Sequence, residues 1–172
     1  MHLASLNALE LAARRAELSR LLRDAVGHGA SIGFTLPLAE PEIDAYWTEV
    51  AAAVAAGRKR VFAALDAQGG LLGSVQLALE MRSNGRHRAE VQKLLVFHAA
   101  RGRGIGAALM RRLEEGAREE KRSLLFLDTS VGAAGAEEFY RKLGYAFVGN
   151  IPDYAANPDG SLAANAIFYK RL

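Results

Sequence analysis

The chain has 172 residues, 51% of them apolar, with 22 Lys and Arg against 19 Asp and Glu for a net charge of +3. That is one domain's worth of core, and the mild, dispersed charge does not point to nucleic acid. With no cysteine and only four histidines, a disulfide framework, a thiolate metal site and a zinc centre are all disfavoured, so no metal is expected. No apolar run reaches the roughly 18–20 residues of a membrane span. Met1-His2-Leu3 lacks the layout of a secretory signal. The expectation is a cytoplasmic protein with no membrane partner.

In chain order, residues 2 to 6 read as a short edge strand. Leu9 to Val26 reads as one helix with Leu11, Leu18, Leu21, Leu22 and Val26 on its apolar face, ended by Gly27-His28-Gly29. Ala30 to Leu38 has no clear period and fits a substrate lid or a packed connector, and His28 beside it is a candidate substrate contact. Pro41-Glu42 opens a second helix, proline being tolerated in a first turn. Its buried face is Ile43, Tyr46, Trp47, Val50 and Val54.

Arg60 to Ala67 and Leu71 to Met81 are strands joined by Gln68-Gly69-Gly70, an antiparallel hairpin. After the turn Ser83-Asn84-Gly85, Arg88 to Phe97 completes a meander. Ile105 to Glu120 is helical and Ser123 to Thr129 is a strand. A strand–helix–strand unit of this length makes a right-handed crossover, so these two strands run parallel. Val131 to Ala134 is a small-residue loop, and Ala136, Phe139, Tyr140 and Leu143 lie along a helix ended by Gly144. Tyr145 to Val148 and Ala166 to Lys170 are the last strands, separated by the turn Asn157-Pro158-Asp159-Gly160.

The chemistry concentrates where the strand 88–97 feeds Arg101-Gly102-Arg103-Gly104-Ile105-Gly106 and then a helix beginning with Ala107 and Ala108 in its first turns. The first amides of a helix have no intrahelical acceptor and carry partial positive charge. Glycines let that backbone approach a phosphate. Gly102-x-Gly104-x-x-Ala107 formally satisfies the dinucleotide fingerprint, with Asp128 ending the next strand. That fingerprint's glycines follow the strand directly, however, whereas His98 to Arg101 intervene here. Too little chain also remains for the parallel sheet it needs. The other reading is an acyl-CoA site.

Hydrophobic-x-Val, a short spacer and Arg-x-x-Gly-x-Gly resembles the central motif of the GCN5-related N-acetyltransferases. The order of elements along the whole chain is similar to theirs. Within that family the chain resembles the tabtoxin-resistance acetyltransferases at Arg88-Ala89-Glu90-Val91-Gln92-Lys93-Leu94, Leu127-Asp128-Thr129, Glu138-Phe139-Tyr140 and Pro158-Asp159-Gly160. His98 stands where the family often has proline. The resemblance implies an α/β (α+β) fold: a mixed, mostly antiparallel seven-stranded sheet, splayed between two central parallel strands, with helices on both faces. It implies a single N-acetyltransferase domain over residues 1–172, its acetyl-CoA site centred on 90–107 and 123–144. Homodimers are frequent in the family.

The resemblance further implies that the main chain of Leu94, Leu95 and Val96 pairs with pantetheine. Amides from Gly102 through Arg103, Gly104, Ile105 and Gly106 to Ala107 would hold the pyrophosphate, with Arg101 adding charge. Acetyl transfer needs a neutral amine, donors for the oxyanion and a proton for the leaving thiolate. Tyr140 matches the family's thiolate-protonating tyrosine, Phe139 being read as the core-facing neighbour. Glu90 is the candidate base, through water, and Asp128 is a second carboxylate able to act as base or to hold the substrate ammonium. The expected reaction is acetylation of a small-molecule amine or hydroxyl, as in resistance to an amino-acid toxin or antibiotic. The alternative is a CoA-binding sensor or scaffold without turnover.

Overall fold

The computed structural model describes residues 1–132 and 135–172. The end of the small-residue loop read over 131–134 lies outside them. The elements are β1 (His2–Leu6), α1 (Ala8–Ala13), α2 (Arg15–Gly27), α3 (Glu40–Ala55), β2 (Lys59–Leu65), β3 (Leu71–Leu79), β4 (Arg88–Val96), α4 (Ile105–Glu119), β5 (Leu124–Ser130), α5 (Ala136–Lys142), β6 (Ala146–Ala156) and β7 (Leu162–Arg171). They build one seven-stranded sheet in the order β1-β2-β3-β4-β5-β7-β6. β4 and β5 run parallel and the remaining neighbours antiparallel. The parallel pair is the one joined by a crossover helix, as a parallel connection requires.

Strand alternation assigns the two faces. Phe62, Ala64, Val75, Leu77, Leu125, Leu127 and Phe168 pack under Leu109, Met110 and Leu113 of α4. Val61, Ala63 and Leu65 point the other way, against Leu18, Leu21, Leu22, Ile43 and Trp47 of α2 and α3. Gly116 sets the approach of α4 to the sheet: a Cβ there would lie 2.3 Å from Cζ of the fully buried Phe62. Arg112 already covers that ring, its guanidinium 4.9 Å from the centroid. Gly116→Ala should therefore destabilise by about 1–3 kcal/mol through overpacking. Thermal unfolding would show this as a Tm lower by about 2–4 °C for each kcal/mol.

The expected helix over Leu9–Val26 is two helices. Asn7 caps α1 in a reciprocal box with Glu10, and the chain leaves helical geometry at Arg14. The cause is tertiary. Arg14 Nη1 donates to Gly69 O (3.0 Å) in the β2–β3 turn, and Leu71 N donates to Glu17 Oε2 (2.9 Å). The β6–β7 hairpin is longer than expected, since most of β6 is exposed and shows no apolar alternation.

β4 carries the irregularity that shapes the site. It pairs with β3 regularly as far as Gln92↔Gln76, then resumes at Leu95↔Ser74. Three steps on β4 thus match two on β3, a bulge, and Lys93 within it has φ 50°. Residues four apart on a regular strand share a face. Here Val91 packs on the α4 side while Leu95 packs on the α2–α3 side. β4 pairs with β5 only from Arg88↔Leu124 to Glu90↔Phe126. Past that row β5 continues with β7 to Ser130 and β4 continues with β3 to Val96, so the expected splay is present.

Candidate active site

Beyond Glu90 the edge of β4 that faces β5 has no strand partner, leaving main-chain groups of the 91–96 segment available to something else. At its end a single turn, His98–Ala100, leads into Arg101–Gly104 and α4. Gly102 and Gly104 both have φ 75°, the left-handed region, and a Cβ built on either meets nothing within 4 Å. Conformation demands these glycines, and the space in front of them is open. The first α-type bond of the helix runs from Ala108 N to Gly104 O (3.1 Å). The amides of Ile105, Gly106 and Ala107 are left without intrahelical acceptors and line a cavity of about 560 Å³ with Gly102, Gly104 and Val96. Arg101 also lines it, its Nε donating to Val96 O (3.3 Å). Arg103 is exposed and does not line it.

The histidine that replaces the family's proline has a structural reason. His98 N donates to Asp24 Oδ2 at 2.7 Å, a bond proline has no hydrogen to make. His28, read as a candidate substrate contact, instead stacks on His98 with centroids 4.0 Å apart. The two contacts fix the end of α2 to the loop before α4.

A second cavity, of about 320 Å³, opens where β4 and β5 part. It shares Leu94, Arg101, Ala136 and Phe139 with the first, so one groove runs from the helix N-terminus through the splay. Its far end is lined by Ser31, Gln92, Lys93, Asp128 and Tyr140. The segment between α2 and α3 roofs it and is tied down. Ser31 Oγ donates to Ala156 O (3.0 Å) and Leu36 N to Pro158 O (2.8 Å), both on the β6–β7 hairpin.

Tyr140 lines the 320 Å³ cavity, but the packing argument made from the sequence is reversed. Tyr140 takes the core-facing slot, its ring 5.9 Å from those of Tyr145 and Phe168, whereas Phe139 is half-buried along the groove. Adjacent positions on a helix point about 100° apart, and the tilt of α5 decides which enters the core. Burial, and secondarily the charge of Asp128, pushes the Tyr140 hydroxyl pKa up, so at neutral pH it holds its proton.

Glu90 sits on the last paired row before the splay and does not line the 320 Å³ cavity, whereas Gln92, two residues on, does. Gln92 Nε2 donates to Glu90 Oε2 at 2.8 Å. Burial raises the Glu90 pKa, the Gln92 hydrogen bond opposes this, and the Asp128 charge adds to the rise. Asp128 Oδ2 accepts from Asn165 Nδ2 at 2.6 Å. Lys93 projects from the bulge into the cavity, and burial lowers its pKa against the pull of Asp128 and Glu90.

Sequence reasoning gave no site role to Asn165 or to the polar set around Glu90, namely Lys59, Gln76, Gln92 and Tyr46, although Gln92 lies in the resemblance motif and Tyr46 was placed on a buried helix face. One signal was available. Gln76 alternates with Val75 and Leu77 in a strand whose two faces are both covered by helices, so it had to be buried and hydrogen-bonded. The reach of Tyr46 to it comes from α3 and is tertiary.

The sheet is thus splayed at the parallel β4–β5 junction, and the strand whose edge is freed leads into the N-terminus of α4. Residues 18–145 match the model of the acetyltransferase (GNAT) family, and the chain belongs to that family. It is 34% identical over 90 residues to the streptothricin acetyltransferase of Streptomyces lavendulae, a match covering 52% of this chain and 46% of that protein. It is 39% identical over 69 residues to the IAA acetyltransferase of Azospirillum brasilense, covering 40% and 45%. The matched stretch thus spans about half the length of either curated relative. The fold is also that of a phosphinothricin acetyltransferase from Sinorhizobium meliloti solved with AcCoA, at TM-score 0.79 and 19% identity over 99% of this chain and 88% of that one. Among the described residues no helix is long and apolar enough to cross a membrane.

Proposed function

We propose that this chain transfers an acetyl group from acetyl-CoA directly to a small-molecule amine held beside the splay. The observation that carries this is the continuous groove: unpaired helix amides at one end, an unpartnered strand edge in the middle, and Tyr140 with Asp128 at the other. The residues fit the co-substrate. The freed edge of Leu94, Leu95 and Val96 suits the amides of pantetheine. The amides of Gly102 to Ala107, with Arg101 beside them, suit a pyrophosphate. The acetyl-CoA-bound fold relative and the curated acetyltransferase relatives support the same assignment.

Each polar group then has one task. Asp128, fixed by Asn165, draws the acceptor's ammonium toward the thioester. Glu90 takes the amine's proton through water, which its raised pKa suits, since a base must hold what it removes. Tyr140, protonated at neutral pH, gives its proton to the departing thiolate. An antibiotic or toxin amine is the acceptor class supported by the streptothricin and phosphinothricin acetyltransferases, though not by the IAA acetyltransferase.

The test is thiol release from acetyl-CoA over a panel of small amines. Acetyl-CoA binding with no free CoA from any amine would overturn the reading. The pH dependence has a defined sign. Glu90 acts as base only when ionised, so kcat/KM should fall as pH drops through a limb shifted upward from that of an ordinary glutamate. Glu90→Gln should lower kcat by about 10²-fold and erase that limb. A limb that persists in the variant assigns the base to another group.

A further inference from the structure

We propose that Lys59 is a positioning residue that orients the Glu90 carboxylate through Gln92. The inference rests on Glu90 serving as the base. The geometry is a chain of four hydrogen bonds on the α2–α3 side of the sheet. Lys59 Nζ donates to Gln92 Oε1 (2.8 Å) and to Gln76 Oε1 (2.9 Å). Gln92 Nε2 donates to Glu90 Oε2 (2.8 Å), and Gln76 Nε2 donates to Tyr46 Oη (2.8 Å).

The direction of these bonds follows from chemistry. An ammonium has three donors and no acceptor, while a carboxamide has one acceptor end and one donor end. Facing Lys59, each glutamine must present its oxygen, which turns its nitrogen outward. Gln92 is thereby committed to donate, and a carboxylate is the partner that can only accept. One Glu90 oxygen is held, leaving Oε1 to take the amine's proton through water. Without the ammonium, Gln92 could turn over and set its own oxygen against Glu90, a repulsive contact.

The sheet makes this possible. Lys59, Ala78 and Glu90 form one cross-strand row, and Val61, Gln76 and Gln92 the next. The small Ala78 leaves the room in which Lys59 reaches across. Gln76 is fully buried and Lys59 half-buried, so water competes poorly for the bonds.

The charged and titratable groups around Glu90 are Lys59 on β2, Lys93 on β4, Asp128 on β5 and the Tyr154 hydroxyl on β6. Lys59 in turn lies near Lys93, and shares an open cavity with Tyr46 and Glu49 of α3, Arg58, and Glu80 and Arg82 beyond β3. Both lysines hold the Glu90 pKa down against burial and Asp128. Removing Lys59 alone should therefore move the acidic limb to higher pH.

The experiment measures kcat/KM against pH for Lys59→Met, Lys59→Arg, Gln92→Met and Glu90→Gln, with acetyl-CoA affinity and Tm recorded for each. Lys59→Met should lower kcat about 10-fold, raise the limb and leave acetyl-CoA affinity intact. Gln92→Met should lower kcat similarly, and the two changes combined should cost no more than either alone. Lys59→Arg, which still donates, should restore the limb. Should Lys59→Met not fold, Gln92→Met carries the test. If Glu90→Gln is inactive while folded Lys59→Met and Gln92→Met keep the wild-type limb and kcat, this inference is overturned and the proposed base stands. If Glu90→Gln is itself fully active, the base assignment fails first.

Discussion

Gly104→Asp should abolish acetyl-CoA binding while leaving a folded protein. Two effects add. Gly104 has φ 75°, which a residue with a Cβ adopts at a cost of about 1–2 kcal/mol. Aspartate tolerates that region better than most, so strain alone would be survivable. The larger effect is charge. The new carboxylate would stand at the N-cap of α4, before the free amides of Ile105, Gly106 and Ala107. It would place a fixed negative charge beside those donors and repel a pyrophosphate. Affinity should fall by about 100-fold or more, equivalent to roughly 3 kcal/mol. The strain at a positive φ should lower Tm by only about 2–8 °C, leaving the protein folded. Isothermal titration with acetyl-CoA beside a melting curve reads both quantities. Retained affinity would remove the α4 terminus from the co-substrate site.

Tyr140→Phe should act on turnover and not on binding. The ring's packing against Tyr145 and Phe168 survives the change, because only the hydroxyl is lost. A general acid of this kind contributes about 10²–10⁴ in rate, so kcat should drop by about 10²-fold or more with acetyl-CoA affinity within a factor of two or so. The loss should shrink when a thioester of a more acidic thiol replaces acetyl-CoA, since a better leaving group needs less help. Wild-type turnover in Tyr140→Phe, measured by thiol release, would strip the residue of that role. Loss of affinity together with kcat would mark it as a packing residue.

Much of the architecture was legible because the signals were local. Gly69 and Gly70 closed a hairpin, and the strand–glycine–helix run at 88–120 forced a parallel pair whose crossover is α4. The division of Leu9–Val26 was hidden because its cause, Arg14 bonding Gly69, connects residues 55 apart in sequence. The order Phe139-Tyr140 was legible but its facing was not, since one helical step exchanges the two and only the angle of α5 decides. The carboxylates Glu90 and Asp128 could be named from motif and strand position. The Lys59–Gln92 chain could not, because it joins three strands and a helix whose register appears only in the folded sheet. His98 shows the reverse case. A departure from the family's pattern became intelligible once its amide was found bonded to Asp24.

The bulge at Lys93 divides β4 into two halves. Upstream of it, Glu90 and Gln92 carry the polar side chains of the strand. Downstream, the side chain of Leu95 packs into the hydrophobic interior and leaves the unpaired main chain facing the splay. Because the phase of the strand resets at 93, the side chains of Glu90 and Gln92 share one face of the sheet while the unpaired main chain beyond them is set independently of that face. A single-residue deletion at 93 would remove the bulge itself: two steps on β4 would then match two on β3, Leu95 would stay opposite Ser74 in its layer, and the losses would be the Lys93 ammonium and the irregular main chain beside the splay.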